Sequence, residues 1–274
     1  MRALRLPNIG ATVRFHDLPG TLPPLLFVGG FGVSGADAFV EVAAHPQIAG
    51  RRRVLVDLLG FGVSDKPETY RYTLEDHAAT LAAVADHRDL GACIVIAHSW
   101  GGSVAIVLAM RRPELVHALV LAEGNLGEFG VVTRPVAAQS EAEYVATGHR
   151  ALLQDAERAE RDEPFVALVR GYWQVASPLA MHRSARAIGD AGKVVRDRFL
   201  SMPVPRYYLV GERTDWTGLR TTLAALSDAG VHVVTVPNVG HGMFDDDVDS
   251  FAEVLAGALK TVPAAHATGR SAPY

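Results

Sequence analysis

The chain has 274 residues, 49% of them hydrophobic and 20% charged, with Lys+Arg 26 against Asp+Glu 30 and a formal net charge of −4. That apolar share supplies a sizeable core and excludes a disordered or low-complexity chain, and the lack of a basic excess argues against a nucleic-acid partner. The single cysteine, Cys93, rules out an internal disulfide and a cysteine metal site, and without a leader-like start or an apolar run of ~18–20 residues the expectation is a cytoplasmic protein with no membrane partner.

Short apolar runs alternate with longer amphipathic stretches, which predicts a mostly parallel sheet with helices on both faces. Residues 3–6 and 11–16 read as an antiparallel pair, and 25–28 as a buried strand entering Gly29-Gly30-Phe31-Gly32. A fourth strand at 54–56 ends at Asp57 and the loop Gly60-Phe61-Gly62. Thr73, with Asp76 three residues on, caps a helix whose inward positions are Leu74, His77, Leu81 and Val84. Residues 93–97 form a strand, 101–110 a helix stopped before Pro113, and 118–122 a sixth strand. From about Glu128 to Pro203 the pattern is helical, with a start at Ser140, a helix at 165–175, another after Pro178 and a separate one at 192–200. Alternation returns with a strand at 207–210, a helix at 219–228, a strand at 232–236 and a last helix at 248–259. The organisation expected is an eight-stranded α/β core (1–127 and 204–262), a helical cap (128–203) after the sixth strand, and a flexible tail (263–274). Insertion at a strand end puts such a cap where open parallel sheets bind ligands.

The most informative stretch is Ala97-His98-Ser99-Trp100-Gly101-Gly102, which reads strand, small-x-Ser-x-small, helix. A serine hydroxyl is a poor nucleophile unless an exposed, strained turn holds it beside a base. Such a turn crowds the backbone, so only small residues fit two positions either side of the serine, here Ala97 and Gly101. An ordinary turn serine is the bland alternative, and the strand before and small-residue helix after weigh against it. Among eleven histidines, His241 stands out in Asn238-Val239-Gly240-His241-Gly242, where flanking glycines let a loop carry the imidazole back over the strand ends. His98, next to Ser99, reads as a packing or hydrogen-bonding residue pointing away from the turn.

Four segments in this order resemble the α/β-hydrolase superfamily, and the resemblance covers nearly the whole chain. They are Val28-Gly29-Gly30-Phe31-Gly32, the loop from Asp57 to Asp65, Ala97 to Gly102, and Val239 to Met243. The resemblance implies an α/β-hydrolase fold with Ser99 as nucleophile and His241 as general base and then general acid. It also implies an oxyanion hole from the backbone N–H groups of Phe31 and Trp100. Gly29 stands where the family often has a histidine that braces this loop, and Ala97 where it often has glycine.

The order Ser, acid, His leaves two candidates for the acid. Asp215 follows the seventh strand, the family's commonest place, but the usual spacing of glycine plus three falls on Thr214. Glu123 ends the sixth strand, where haloalkane dehalogenases and zearalenone-type lactonases place the acid. A carboxylate closing so apolar a strand is costly without a partner, and Glu123 is preferred. Gly30, Trp173, Trp216 and Met243 are candidate substrate-binding residues, with helix packing the rival reading for Trp173.

No cofactor is expected. Gly29 to Gly32 is followed by no Gly-Lys-Ser/Thr, so a phosphate loop is a poor reading. Asp245-Asp246-Asp247 suits a helix N-terminus better than a metal. The expected activity is hydrolysis of a small-molecule ester or lactone through an acyl-enzyme, and the expected assembly is a homodimer. A carbon–carbon bond hydrolase, a hydroxynitrile lyase using a lysine such as Lys193, and a receptor that keeps the pocket without turnover are the rivals; a serine at position 99 excludes the usual dehalogenase mechanism, which needs a carboxylate there.

Overall fold

The computed structural model describes residues 1–128, 130–159, 164–215 and 219–264. Eight strands form one sheet: β1 Arg2–Leu6, β2 Ala11–Leu18, β3 Leu22–Val28, β4 Arg51–Asp57, β5 Cys93–His98, β6 Val116–Ala122, β7 Arg206–Gly211 and β8 His232–Val236. Their order across the sheet is β1-β2-β4-β3-β5-β6-β7-β8. The β1–β2 and β2–β4 pairs are antiparallel and all the others parallel. Leu25 to Val28, Ile94 to Ala97 and Ala118 to Ala122 are each at most 1% exposed. Successive strand residues point to opposite faces, so unbroken burial means that both faces are covered.

The helices that cover them begin with α1 Gly35–Ala38, α2 Val40–Ala44, α3 Leu74–His87 and α4 Gly101–Arg111. Between β6 and β7 come α5 Thr133–Ala138, α6 Glu141–Glu143, a π turn Tyr144–Gly148, α7 His149–Ala159, α8 Pro164–Val175 and α9 Pro178–Ser201. The chain ends with α10 Arg220–Asp228, α11 Met243–Asp246 and α12 Val248–Thr261. The Thr73 hydroxyl accepts from Asp76 N at 3.1 Å while the Asp76 carboxylate accepts from Thr73 N at 3.3 Å, closing the cap expected for α3.

One expected break is absent. The helices read after Pro178 and at 192–200 are a single helix, α9. Gly192, read as the start of a new helix, lies inside α9 where the chain passes close to Gly127: a Cβ on Gly192 would lie 3.0 Å from Gly127 O, and one on Gly127 would lie 2.1 Å from Gly192 O. Three short helices, α1, α2 and α11, escape a periodicity search because none reaches two full turns.

The inserted helices are bonded directly to the loops at the ends of the core strands. Ser177 N donates to Gly60 O at 2.9 Å, and the Arg183 guanidinium donates to the carbonyls of Glu68 and Tyr70, each at 2.7 Å. His77 of α3 meets Ser184 Oγ of α9 at 3.1 Å, in a cluster where its ring stacks on Phe61 and stands edge-on to Trp100. No described helix is long and apolar enough to cross a membrane.

Candidate active site

β5 delivers Ser99 at its C-terminal end in a left-handed conformation, φ 50°. For a residue with a Cβ this costs about 1–2 kcal/mol, and the surrounding backbone holds it: Ser99 N donates to Ala122 O at 3.1 Å, and Ser99 O accepts from Gly102 N at 2.9 Å. The turn fits only because glycines occupy the second and third positions after the serine. A Cβ on Gly101 would lie 2.3 Å from Gly29 O, and one on Gly102 would lie 2.8 Å from Gly124 Cα. Gly30 abuts the serine from the other side, since a Cβ there would sit 3.5 Å from Ser99 Cβ.

The loop after β8 carries His241 to the same place and is clamped at three points. Arg213 N donates to Val239 O at 2.8 Å, Gly240 N donates to Asp246 Oδ2 at 2.6 Å, and His98 Nε2–H donates to His241 O at 2.8 Å. His98, buried below the serine with its pKa pushed down to about 3 by burial, therefore acts as a neutral hydrogen-bonding residue. His241 Nε2 stands 3.1 Å from Ser99 Oγ, and His241 Nδ1 stands 2.7 Å from Glu123 Oε2. The three residues, from β5, β6 and the end of β8, form one hydrogen-bonded line.

Glu123 is also held at a positive φ, 43°, one residue past β6. Its second oxygen accepts from Gly211 N at 2.9 Å and from the Thr214 hydroxyl. Burial of this carboxyl, whose side chain is 5% exposed, pushes its pKa up, but the donors at His241, Thr214 and Gly211 together outweigh it and the net direction is down. An ionised Glu123 takes the Nδ1 proton of His241 as a hydrogen bond, which leaves the Nε2 lone pair facing the serine hydroxyl.

Asp215, the other candidate acid, is exposed at the loop surface, and Glu123 occupies the far nitrogen of His241. The residue at glycine plus three, Thr214, instead hydrogen-bonds to Glu123. That spacing was the one available signal for Thr214, whose part was missed in sequence.

Trp100 follows Ser99 in the chain, and Phe31 follows Gly30, which abuts the serine. Both are buried, with ring centroids 6.3 Å apart, and their backbone N–H groups donate to no protein acceptor among the described residues. Trp173 is buried with its indole N–H donated to Phe31 O at 2.9 Å. Met243 is fully buried on α11, and Trp216 lies outside the described residues. Phe165 of α8, which the sequence placed only at the start of the helix expected at 165–175, stands edge-on to His241 with centroids 5.6 Å apart. The described residues contain no cluster of three or more His, Cys, Asp or Glu that could hold a metal. Asp247 caps α12 through Ser250 N at 2.9 Å, and Asp246 pairs with Arg213 at 3.1 Å. Cys93 is buried, and its thiol is pushed up to about 12 by that burial.

Comparison with known proteins gives the same architecture. A putative hydrolase, LipZ, from Mycobacterium tuberculosis is 36% identical over 106 residues, 39% of this chain and 36% of that protein. The 2-hydroxymuconate semialdehyde hydrolase of Pseudomonas sp. strain CF600 is 35% identical over 127 residues, 44% of this chain and 42% of that protein. The matches to these two thus span 36% and 42% of the relatives' own length. Solved structures of like fold include esterases and lactonases. The enol-lactonase from Burkholderia xenovorans LB400 aligns over 92% of this chain and 97% of its own with a TM-score of 0.75 at 18% identity. A family model described as alpha/beta hydrolase fold matches residues 23–248. That span takes in most of the chain, with the elbow serine, the carboxylate after β6 and the histidine after β8 all inside it, and the protein belongs to the α/β-hydrolase fold family.

Proposed function

We propose that the protein is a cofactor-independent serine hydrolase that cleaves a carboxylic ester or lactone through an acyl-enzyme on Ser99. The observation that carries this reading is the unbroken line Ser99 Oγ to His241 Nε2 at 3.1 Å and His241 Nδ1 to Glu123 Oε2 at 2.7 Å. Ser99 Oγ bonds to the substrate carbonyl carbon as its proton passes to His241 Nε2, and Glu123 steadies the imidazolium so formed. The negative oxygen of the tetrahedral intermediate is met by the N–H groups of Phe31 and Trp100, at the start of α4 where the helix dipole adds to the effect. Collapse expels the alcohol oxygen, which takes the proton back from His241. Water then attacks the acyl-serine, gives a proton to the same nitrogen, and releases the carboxylic acid as the proton returns to Ser99. With a lactone the alcohol stays tethered and the product is a hydroxy acid. The helices of α5–α9 form the cap of this site, and with Phe165 over His241 and Trp173 against the oxyanion loop they favour a small or medium apolar acyl group over a polymer.

A carbon–carbon bond hydrolase is the second reading, favoured by the match to 2-hydroxymuconate semialdehyde hydrolase. It would use the same three residues. A lyase that uses Lys193 is disfavoured, because Lys193 is exposed on α9. A panel of p-nitrophenyl esters and lactones of graded acyl size, run beside a vinylogous diketone and a fluorophosphonate probe, tests the proposal. Turnover and labelling of Ser99, both lost in Ser99→Ala without loss of fold, are expected. Cleavage of the diketone alone would favour the second reading, and turnover that survives Ser99→Ala would refute the mechanism.

A further inference from the structure

The loop that supplies one of the two proposed oxyanion donors, Gly29-Gly30-Phe31-Gly32, contains three glycines in four residues. Gly32 lies at φ 72°, in the left-handed region. A segment of this composition has wide conformational freedom and keeps one geometry only if its surroundings impose it. Within the loop, Val33 N donates to Gly30 O at 3.2 Å. The core packs against Gly29 and Gly30, and a further restraint, on the Phe31 carbonyl, comes from the inserted helices: Trp173 Nε1 of α8 donates to Phe31 O at 2.9 Å.

We propose that Trp173 is a positioning residue whose indole N–H holds the oxyanion loop in the orientation that aims the Phe31 N–H at the developing negative charge. The inference rests on the serine-hydrolase reading above. Fixing the Phe31 carbonyl fixes the peptide plane between Phe31 and Gly32, and the turn closed at Gly30 fixes the other side, so the N–H between them loses its freedom to swing. The indole is packed against the loop as well as bonded to it. A Cβ on Gly32 would lie 2.6 Å from Trp173 Cδ1 and 2.5 Å from Met181 Sδ.

Trp173 is in turn anchored inside the insert. Its carbonyl accepts from His149 Nε2 at 3.1 Å, and His149 Nδ1 accepts from the Tyr144 hydroxyl at 3.1 Å. The three residues are buried, each at most 8% exposed, so water does not compete for these bonds. A matching tie exists on the other side of Ser99, where the Trp100 indole donates to Ser184 O of α9 at 3.2 Å. Both residues proposed to supply the oxyanion N–H groups are therefore bonded to the inserted helices, which makes the insert a brace for transition-state stabilisation as well as a cover.

Loss of one oxyanion donor outright costs about 100- to 1000-fold in kcat, and a donor that is present but loosely aimed should cost part of that. Trp173→Phe keeps a ring and deletes the N–H. The test first establishes Ser99-dependent turnover on the best ester of the panel, then measures kcat, KM and the affinities of a trifluoromethyl ketone and of the carboxylate product. The expected result is a fall in kcat of about 10- to 100-fold, an equal fall in ketone affinity, and unchanged KM and product affinity. A purely structural role would weaken product and ketone together or leave kcat intact, and either result overturns the proposal. If Trp173→Phe does not fold, benzothienylalanine at position 173, which exchanges the N–H for sulfur in a ring of the same shape, gives the same reading. Wild-type protein without Ser99-dependent turnover would overturn the hydrolase reading and this proposal with it, whereas normal turnover in the variant overturns this proposal alone.

Discussion

Glu123 shows how much a single carboxylate depends on its neighbours. Its Oε1 faces two donors, Gly211 N–H and the Thr214 hydroxyl, and its Oε2 faces His241 Nδ1. An amide at this position must keep its oxygen toward Gly211, because a backbone N–H offers no lone pair. Its NH2 then meets His241 and forces the proton onto Nε2, where it blocks acceptance of the Ser99 proton. Glu123→Gln should therefore lower kcat by about 100- to 10,000-fold, in the range known for the wrong-tautomer defect. Asp215→Asn, on an exposed residue away from the imidazole, should change it by less than about threefold. Steady-state kinetics of the two variants on one ester decide the matter, and the reverse ranking would make Asp215 the acid. Ser99 and His241 stand out in sequence because Gly101 and Gly102 follow the serine and Gly240 and Gly242 flank the histidine, while the roles expected of them came from the resemblance to the α/β-hydrolase superfamily. The acid could only be narrowed to two, because its assignment depends on how closely the loops after β6, β7 and β8 converge.

At the scale of the element, the strand–turn–helix around Ser99 is packed backbone against backbone. Gly101 has no room for a side chain, and the neighbour that a Cβ would strike is the backbone oxygen of Gly29 at 2.3 Å, which cannot move aside without disturbing β3. Gly101→Ala should destabilise the protein by about 1–3 kcal/mol, the ordinary cost of overpacking. It should also depress kcat through the displaced serine. Urea unfolding and kinetics of the variant check both effects, and wild-type values in both would mean that the turn is looser than described. This constraint was visible in sequence as a requirement for small residues. The continuity of α9 was not, because a glycine that permits close helix contact and a glycine that ends a helix look alike until Gly127 is known to lie opposite.

Across the whole molecule, buried titratable groups set how stability responds to acid. Burial drives the pKa of His77 and of His98 down to about 3, so both stay neutral in the folded protein. The unfolded chain binds protons on them from about pH 6.5 downward, and stability must fall as pH drops through that range. The carboxylates respond at lower pH. Asp17 is held below its ordinary value by its hydrogen bond to Arg52 and also by Arg88, and Asp65 by its hydrogen bond to Arg14. With Glu123, each contributes stability that is full above the ordinary carboxylate pKa of about 4 and lost as pH falls through the lowered folded value. The urea midpoint should therefore decline from about pH 6.5 and more steeply below about pH 4, and a midpoint constant from pH 7 to pH 4 would contradict the neutral, buried state of the two histidines.

Hydrophobic periodicity and a few short motifs determined the strand and helix succession and the interruption after β6, and singled out the serine and the histidine that the fold brings within 3.1 Å of each other. Each of these is a local property, governed by which side chains share a face or which backbone can make a given turn. The tertiary structure alone decided that Glu123 and not Asp215 reaches His241, that Thr214 holds that carboxylate, that α9 is unbroken, and that Trp173 bonds to the Phe31 carbonyl. Each of those joins residues far apart in the chain through a contact of about 3 Å, and such a contact exists only once the sheet has set the positions of its loop ends.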